Sequence, residues 1–373
     1  MNADIPIQQE PLNAGCFNTF LTPQQFYNGD PWLVFVKDKL HLDDIWNVAI
    51  FFIITIIINF IFTTIFQDYH PATSLLDTLH LILLSVSFTS LYLIYLLLPT
   101  FMADTFDTLS ANGVIGSNRQ KSFKSISYEN FVKNLLAWAN SRWWLAIIAM
   151  ISVPFWLTWE FIRFHQYPLY LSIPIFLLEE MTGIYIISFI IIRVVLLLVF
   201  INRLFLLFTI QVKPLHSDGS GGLGSLGHIW WISVGMMFAI SLGILAVSQR
   251  FASLGGITII ATLYLVFILT LVIGWLALPH HMMLQARNEL LQPITDEYEQ
   301  VVKETLPSIT GDTATVVAGT ERLSALQDRY KLLRDNFPVW PLEIVQMRRL
   351  GIVLFLPVVL SILPTLLDLL TKR

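Results

Sequence analysis

The chain has 373 residues, of which 55% are apolar or aromatic and only 13% are charged. Soluble domains carry about 25% charged residues, so the charge is about half of what a water-exposed surface needs, and the mean hydropathy of +0.68 agrees. The net charge of −4 excludes the basic field that a nucleic-acid partner requires. The single cysteine, Cys16, excludes an internal disulfide and a multi-cysteine metal site. We therefore expect a protein that is embedded in a lipid bilayer and carries no cofactor.

Apolar stretches long enough to cross a bilayer recur along the chain. The hydrocarbon core is about 30 Å thick and requires roughly 20 residues of helix, because every backbone polar group must be paired inside the segment. Seven stretches meet this condition: Trp46–Phe66, Leu79–Phe101, Trp143–Ile162, Ile184–Ile210, Ile229–Gln249, Leu254–Leu278 and Leu350–Leu370. The apolar segment Pro168–Leu178 is too short for an eighth crossing and is interpreted as partly embedded or re-entrant. The predicted fold class is an all-α, polytopic helical membrane protein with about seven transmembrane helices.

The basic residues predict the orientation of these spans. With the N-terminus inside, and with Arg203 counted at the inner end of the fourth span, the inner side holds 17 Lys and Arg residues and the outer segments hold 4. Cytoplasmic loops carry such an excess, so the N-terminus is expected inside and the C-terminus outside. The predicted organisation is a cytoplasmic segment at 1–45 with an interfacial stretch at Pro31–Leu40, a six-span region at 46–278, a cytoplasmic helical hairpin at 279–349, and a last span with a short outer tail at 350–373.

The hairpin is predicted from two apolar stripes with a spacing of three and four residues. The first stripe contains Leu291, Ile294, Tyr298 and Val301, and the second contains Leu323, Leu326, Tyr330, Leu333 and Phe337. This spacing is typical of helices that bury one narrow face against a partner. Pro293 followed by acidic residues favours a helix start at that position. The pattern leaves two interpretations open, namely a hairpin that packs within one subunit and an assembly or coupling surface.

A glycine-rich turn joins the fourth and fifth predicted spans, from His216 to His228. Its glycines are Gly219, Gly221, Gly222, Gly224 and Gly227. A dinucleotide site is not expected, because the predicted element before the turn is a membrane helix and not the β-strand of a βαβ unit. Three interpretations remain: a tight interhelical turn capped by Asp218, an anion site formed by converging backbone N–H groups, and a set of metal ligands. The candidate metal ligands are His216, Asp218, His228, His280 and His281.

The run H-x-D-G-x-G-G-L-G-x-L-G, with an M-R-R step at Met347-Arg348-Arg349 before a proline-containing last span, resembles a family of uncharacterised bacterial multi-pass membrane proteins. The likeness covers the chain from about Ile184 onward, and Ser217 stands where similar sequences have proline. The resemblance implies a location in the bacterial inner (cytoplasmic) membrane and implies no particular chemistry.

Several polar residues lie inside the predicted spans, where an ionisable group costs several kcal/mol and commonly marks function. These residues are Arg193, Glu160, Asn59 and Asn202. Arg193 is expected to pair with Glu160, or with the adjacent Glu179 and Glu180, either as a structural clamp or as the lining of a hydrated pathway. A further pattern, Gly235, Ala239 and Gly243 in the fifth span, favours close helix packing over pore lining.

These features predict a channel or transporter for a small ion or solute, gated from the cytoplasmic side and assembled as a homo-oligomer. One alternative is a membrane scaffold or signalling protein that binds a partner through the 279–349 hairpin. The other is a membrane-embedded enzyme with an interfacial His/Asp site. The pattern favours a non-enzymatic role, because it contains no G-x-S-x-G or H-E-x-x-H motif.

Overall fold

The computed structural model describes residues 20–65, 75–118, 127–150, 153–154, 181–213, 216, 218, 220–250, 254–305 and 313–337. Within these residues the chain is mostly helical. A 3₁₀ turn at Pro23–Phe26 precedes the helices α1 (Pro31–Lys39, α-helical and then π-helical), α2 (Asp44–Ile65), α3 (Leu75–Ala111), α4 (Tyr128–Ala139), α5 (Met181–Leu207), α6 (Leu226–Arg250), α7 (Leu254–Thr305) and α8 (Thr313–Asn336). Two short strands, β1 (Ile115–Asn118) and β2 (Phe208–Ile210), complete the described elements.

Three described helical segments are long and apolar enough to cross a membrane: Leu81–Ala111, Met181–Leu207 and Leu226–Gly243. A fourth candidate is the pair Pro31–Lys39 and Asp44–Ile58, which is bent by 118° as in a broken span or a re-entrant loop. The predicted third span begins in the helical residues 143–150 and otherwise lies almost wholly outside the described residues. The predicted last span, Leu350–Leu370, and the segment Pro168–Leu178 also lie outside them.

The largest helix interface in the described residues joins α3 to α6. Gly235 lies against Ile94, and a Cβ atom added at Gly243 would come within 2.9 Å of the Ser87 hydroxyl oxygen. That hydroxyl donates a hydrogen bond to the carbonyl oxygen of Ala239 at 2.7 Å. Small residues allow this approach because a larger side chain would separate the backbones. The predicted packing role of the small-residue stripe on the fifth span is therefore confirmed.

The C-terminal ends of α3 and α5 and the N-terminal end of α6 meet at one side of the bundle. Strands β1 and β2, which directly follow α3 and α5, pair antiparallel there. The amphipathic helix α4 covers this region: the Tyr128 hydroxyl donates to the Phe106 carbonyl oxygen at 2.7 Å, and the ring of Phe131 packs edge-on against Phe200. The expectation of a purely α-helical chain was wrong in this detail, because strands of three and four residues are too short to leave an alternating pattern.

The helix predicted to start at Pro293 instead continues α7, which runs without interruption from Leu254 to Thr305 through Pro279 and Pro293. A proline removes one helical hydrogen bond and bends a helix, but packing on either side can maintain it. Helix α8 lies against the C-terminal half of α7, where Ile294, Val301 and Leu326 form a buried cluster. The two apolar stripes thus meet, although Tyr298 is 39% exposed and contributes little to the contact.

Candidate functional site: a buried Asp30–Arg193 pair

Helix α5 places Arg193 close to its midpoint, among apolar residues on both sides. The side chain is buried, with the residue only 1% exposed. Its Nη2 atom lies 2.9 Å from Oδ2 of Asp30, which is also 1% exposed. An arginine and an aspartate from distant parts of the chain therefore form an ion pair inside the bundle.

Asp30 accepts hydrogen bonds from residues of α1, α3 and α5. It is the N-cap of α1, and its Oδ1 accepts from the backbone N–H groups of Trp32 and Leu33 at 3.2 and 3.3 Å. Oδ1 also accepts from the hydroxyl of Tyr185 at 2.7 Å, and Oδ2 accepts from the hydroxyl of Tyr95 at 2.6 Å. With Arg193, five donors surround one carboxylate, which compensates for its removal from water.

Arg193 is less completely paired than its partner. Its Cζ lies 5.5 Å from the centre of the Tyr95 ring and 5.3 Å from that of Phe189, at cation–π distance. The guanidinium has five N–H donors, but the buried Nε and Nη1 atoms have no hydrogen-bond partner among the described residues. A buried charge that keeps unused donors is able to accept a further ligand.

The backbone next to Asp30 is fixed by the C-terminal end of α4. The N–H of Gly29 donates to the side-chain oxygen of Asn140 at 2.9 Å, and the Asn140 amide nitrogen donates to the Gln25 carbonyl oxygen at 2.6 Å. The chains approach so closely that a Cβ atom at Gly29 would come within 2.5 Å of the Asn140 carbonyl oxygen. Only glycine fits at this contact, which determines the position of Asp30.

A cavity of about 380 Å³, open to the surface, lies next to the segment that follows Asp30. Its lining consists of Pro31, Trp32, Met181, Thr182, Tyr185 and Ile186. Tyr185 contributes to both places, since its side chain lines the cavity while its hydroxyl binds Asp30. One tyrosine therefore connects the cavity to the carboxylate of the ion pair.

The sequence did not indicate Asp30 as the partner of Arg193. The expected partners Glu160, Glu179 and Glu180 lie outside the described residues. The available signal was the Asp30-Pro31 step, since aspartate followed by proline is a typical helix start. That signal predicts the cap but not the depth at which the cap lies.

Of the other predicted intramembrane polar residues, Asn202 is partly buried on α5, and the side chain of Asn59 lies outside the described part of the chain.

In the glycine-rich turn, the group that the backbone N–H atoms bind is the carboxylate of Asp218 itself. It accepts from the backbone N–H groups of Ser220 and Gly222 at 3.0 Å and of Gly224 at 2.9 Å, and His216 Nδ1 lies 2.9 Å from Oδ1. Partial burial acts to raise the pKa of Asp218, but the donors at Gly222, Gly224 and Ser220 outweigh it and lower the pKa below 3.8. The geometry matches the expected turn closed by Asp218.

The other glycines shape the turn around this carboxylate. Gly221 and Gly222 have φ angles of +68° and +90°, which side-chain-bearing residues rarely adopt. A Cβ atom at Gly222 would also lie 2.5 Å from Val114 Cγ2, and the Gly222 carbonyl oxygen accepts from the Asn112 side chain at 3.1 Å. A Cβ atom at Gly224 would lie 3.0 Å from the Asp218 carboxylate. Gly227 is buried at the start of α6, and Gly219 lies outside the described residues.

The predicted metal candidates do not assemble in the described part of the chain. His216 pairs with Asp218, whereas His228 Nδ1 lies 2.8 Å from Oδ2 of Asp104 on α3. His280 and His281 are on α7. Among the described residues, no group of three His, Cys, Asp or Glu side chains is arranged to hold a metal ion.

Comparisons with protein families, with curated proteins and with solved structures found no match to this chain. Any statement about the kind of protein therefore depends on the fold itself. The long apolar helices are compatible with an integral membrane protein, and Asp30 and Arg193 form a buried ion pair among the described residues.

Proposed function

We propose that the protein is a channel or transporter for a small ion or solute, and that the Asp30–Arg193 pair selects the charge of what passes. The observation that carries the proposal is an ion pair in which each residue is only 1% exposed and Arg193 lies near the middle of an apolar helix. Ionisable groups inside membrane spans are costly and are commonly found on substrate, ion or proton pathways.

A purely structural clamp is the competing explanation, and two observations favour a pathway over it. Apolar side chains of similar volume stabilise a buried site as well as or better than an ion pair, so packing alone does not require these charges. In addition, Nε and Nη1 of Arg193 have no partner within the described residues. A structural ion pair does not need unpaired N–H donors, whereas a binding site needs donors that a ligand can contact.

For the membrane topology, the assembly and the location, the proposal follows the prediction from the sequence. We propose seven spans with the N-terminus inside, a homo-oligomeric assembly, and a location in the inner membrane of a bacterium. The excess of basic residues in alternate loops supports the orientation, and the resemblance of the glycine-rich turn supports the location. In this arrangement the turn around Asp218 lies at the cytoplasmic ends of α3, α5 and α6, where a cytosolic signal is able to act on the bundle.

Flux measurements test the proposal directly. The purified protein is reconstituted into liposomes, and K⁺, Na⁺, Cl⁻ and nitrate fluxes are compared for the wild type, Arg193→Ala and Arg322→Ala. Arg322 is a matched control because it pairs with Glu297 at the exposed surface of the hairpin. We expect Arg193→Ala to abolish flux or change the ion preference, and Arg322→Ala to change neither. Unchanged flux and ion preference in Arg193→Ala would remove the pair from the pathway.

A membrane scaffold is the second candidate, and the surface of the hairpin favours it. Apolar side chains are exposed on otherwise charged helices, namely Leu290 at 44%, Val317 at 55% and Leu332 at 62%. Apolar side chains exposed in this way are available for contact with a partner chain. This candidate predicts that Val317→Glu with Leu332→Glu dissociates an assembly in light-scattering measurements, and that no ion crosses the liposome membrane in any variant.

A further inference from the structure

We propose that a groove at the C-terminal end of α4 binds a phospholipid with an anionic headgroup, with an acyl chain against exposed tryptophans and the phosphate at Arg142. The groove, which we call the tryptophan groove, has a volume of about 450 Å³ and is open to the surface. Its lining consists of Ala137, Trp138, Ser141, Trp143, Trp144 and Ile147. The inference does not depend on the proposed transport function, since neither residue of the Asp30–Arg193 pair lines this groove.

The turn that follows α4 fixes the shape of the tryptophan groove. Helix α4 ends at Ala139, with Asn140 as its C-cap, and the chain is helical again at residues 143–150. The indole Nε1 of Trp144 donates to the Trp138 carbonyl oxygen at 2.6 Å, which pairs one of the carbonyl groups that the end of a helix leaves free. The two rings lie 6.2 Å apart. Trp144 therefore joins the two helical segments whose residues line the groove.

The side chains that the groove exposes are large and apolar. Trp138 is 55% exposed and Trp143 is 77% exposed, and Met150 is exposed further along the same segment. Helix α4 packs against the bundle through other side chains, among them the buried Phe131 and Leu135. The exposed tryptophans are therefore not part of that interface. Adjacent apolar side chains that remain exposed are typical of a surface that contacts a protein or a membrane.

The position of the groove in the sequence favours lipid as its occupant. An apolar stretch long enough to cross a bilayer begins at Trp143, and Glu160 is the only Asp, Glu, Lys or Arg in residues 143–162. Residues 119–142, directly before it, contain six such charged residues. Tryptophan is enriched at the boundary between membrane and water, because its ring is apolar and its N–H group is polar. The tryptophan groove therefore lies where a phospholipid places the junction between its headgroup and its acyl chains.

The charge beside the groove favours an anionic headgroup. Residues 119–142 contain five Lys and Arg residues and one acidic residue, Glu129, which pairs with Lys133. Arg142 lies in the chain between two lining residues, is exposed, and forms no ion pair within the described residues. A guanidinium binds a phosphate group through parallel N–H···O bonds. In the proposed orientation this segment faces the cytoplasm, where basic residues next to a span attract anionic lipids.

Native mass spectrometry of the full-length protein, released from detergent micelles, tests the proposal. The probes are phosphatidylglycerol and phosphatidylcholine with identical acyl chains, supplied as an equimolar mixture. We expect the wild type to retain about five-fold more phosphatidylglycerol, as one additional basic contact implies. Arg142→Gln should retain the two lipids equally. Trp138→Ala combined with Trp143→Ala should lose the most strongly retained lipid of either kind.

Two control variants remove the same chemical groups elsewhere. Arg322→Gln removes one exposed positive charge from the hairpin. Trp231→Ala removes a tryptophan that is partly exposed on α6. Both variants should match the wild type in the number of retained lipids and in the preference for phosphatidylglycerol.

Several outcomes would overturn the proposal. These are equal retention of the two lipids by the wild type, a preference that persists in Arg142→Gln, and unchanged retention in the double tryptophan variant. A dimer that only the double variant loses, with unchanged lipid, would make the groove a contact between two copies of the chain. Displacement of the lipid by glycerol phosphate, which lacks acyl chains, would remove the groove from the binding site.

A charge reversal keeps the proposal testable if the double tryptophan variant fails to fold in size-exclusion chromatography. Arg142 is exposed, so Arg142→Glu removes no buried contact. Its carboxylate repels a phosphate group, and this variant should therefore retain more phosphatidylcholine than phosphatidylglycerol. An unchanged preference for phosphatidylglycerol would overturn the role of Arg142.

Discussion

Arg193 and Asp30 are 163 positions apart in the sequence, and Nη2 of the arginine lies 2.9 Å from Oδ2 of the aspartate. This contact joins the N-terminal segment to the middle of α5. It also places the N-terminus of α1 inside the bundle, with Leu33 and Val36 in the same buried core as residues of α3 and α5. The N-terminal segment, expected to lie along the membrane interface, is thus part of the core through one of its faces.

Removing one charge of the pair should destabilise the protein strongly. Asp30→Asn leaves the buried Arg193 without its counter-ion, which typically costs about 3–5 kcal/mol. The double variant Asp30→Asn with Arg193→Met removes both charges, and we expect it to lose less stability than the sum of the two single variants. Thermal and denaturant unfolding in detergent measure these differences. Losses that simply add would mean that the two side chains do not interact, and the exposed Arg322→Ala serves as a control without measurable loss.

The hydroxyl of Tyr95 should contribute to stability through Asp30. Tyr95 is fully buried and donates to Oδ2 at 2.6 Å. Tyr95→Phe keeps the ring and removes this bond to a charged acceptor, so we expect a loss of about 1.5–3 kcal/mol. The loss should disappear in an Asp30→Ala background, where the acceptor is absent. Tyr298→Phe, at a residue 39% exposed on the hairpin, is the matched control. Equal losses in both backgrounds would assign the effect to packing.

Local sequence patterns predicted much of the fold, but they did not predict contacts between segments that are distant in the sequence. The glycine run and Asp218 lie within a few residues of each other, so the sequence indicates their turn directly. The stripes that include Ile294 and Leu326 likewise indicate a helix pair, because helical periodicity is a local property. Asp30 gave no such signal, since its burial depends on α3 and α5 folding around it. The continuation of α7 through Pro293 was also missed, because packing overrode the local preference of proline.

The turn around Asp218 should lose stability as the pH falls. The pKa of Asp218 lies below 3.8 in the folded protein. The ionised carboxylate therefore stabilises the fold above pH 3.8. This stabilisation is lost as the pH falls through the lowered pKa. Asp218→Asn removes this contribution at neutral pH. The wild type should therefore melt at a higher temperature than this variant at neutral pH, and the difference should decrease below pH 3.8. The exposed Asp328→Asn is the control, and a difference that widens on acidification would contradict the prediction.

The contact between α7 and α8 should depend on the absence of a side chain at Gly319. A Cβ atom there would lie 2.5 Å from Thr305 Oγ1 and 2.7 Å from Thr305 Cγ2. Thr305 does not move aside freely, because its hydroxyl donates to the Val301 carbonyl oxygen at 2.7 Å. Gly319→Ala should therefore destabilise the hairpin by about 1–3 kcal/mol, detected as faster hydrogen exchange in α8 and in the C-terminal part of α7.

Adding Thr305→Ala removes both clashing atoms, so the double variant should recover most of the protection against exchange. Gly274→Ala in the same helix α7 is the matched control, because its new Cβ would be 3.4 Å from Leu198 Cδ2, an ordinary contact. Alanine also favours a helix over glycine by about 1 kcal/mol, so this control should leave exchange unchanged or slower. Unchanged or slower exchange in Gly319→Ala would contradict the prediction. It would mean that α8 does not approach α7 as closely as the contact at Thr305 requires, and that the cluster of Ile294, Val301 and Leu326 alone holds the hairpin together.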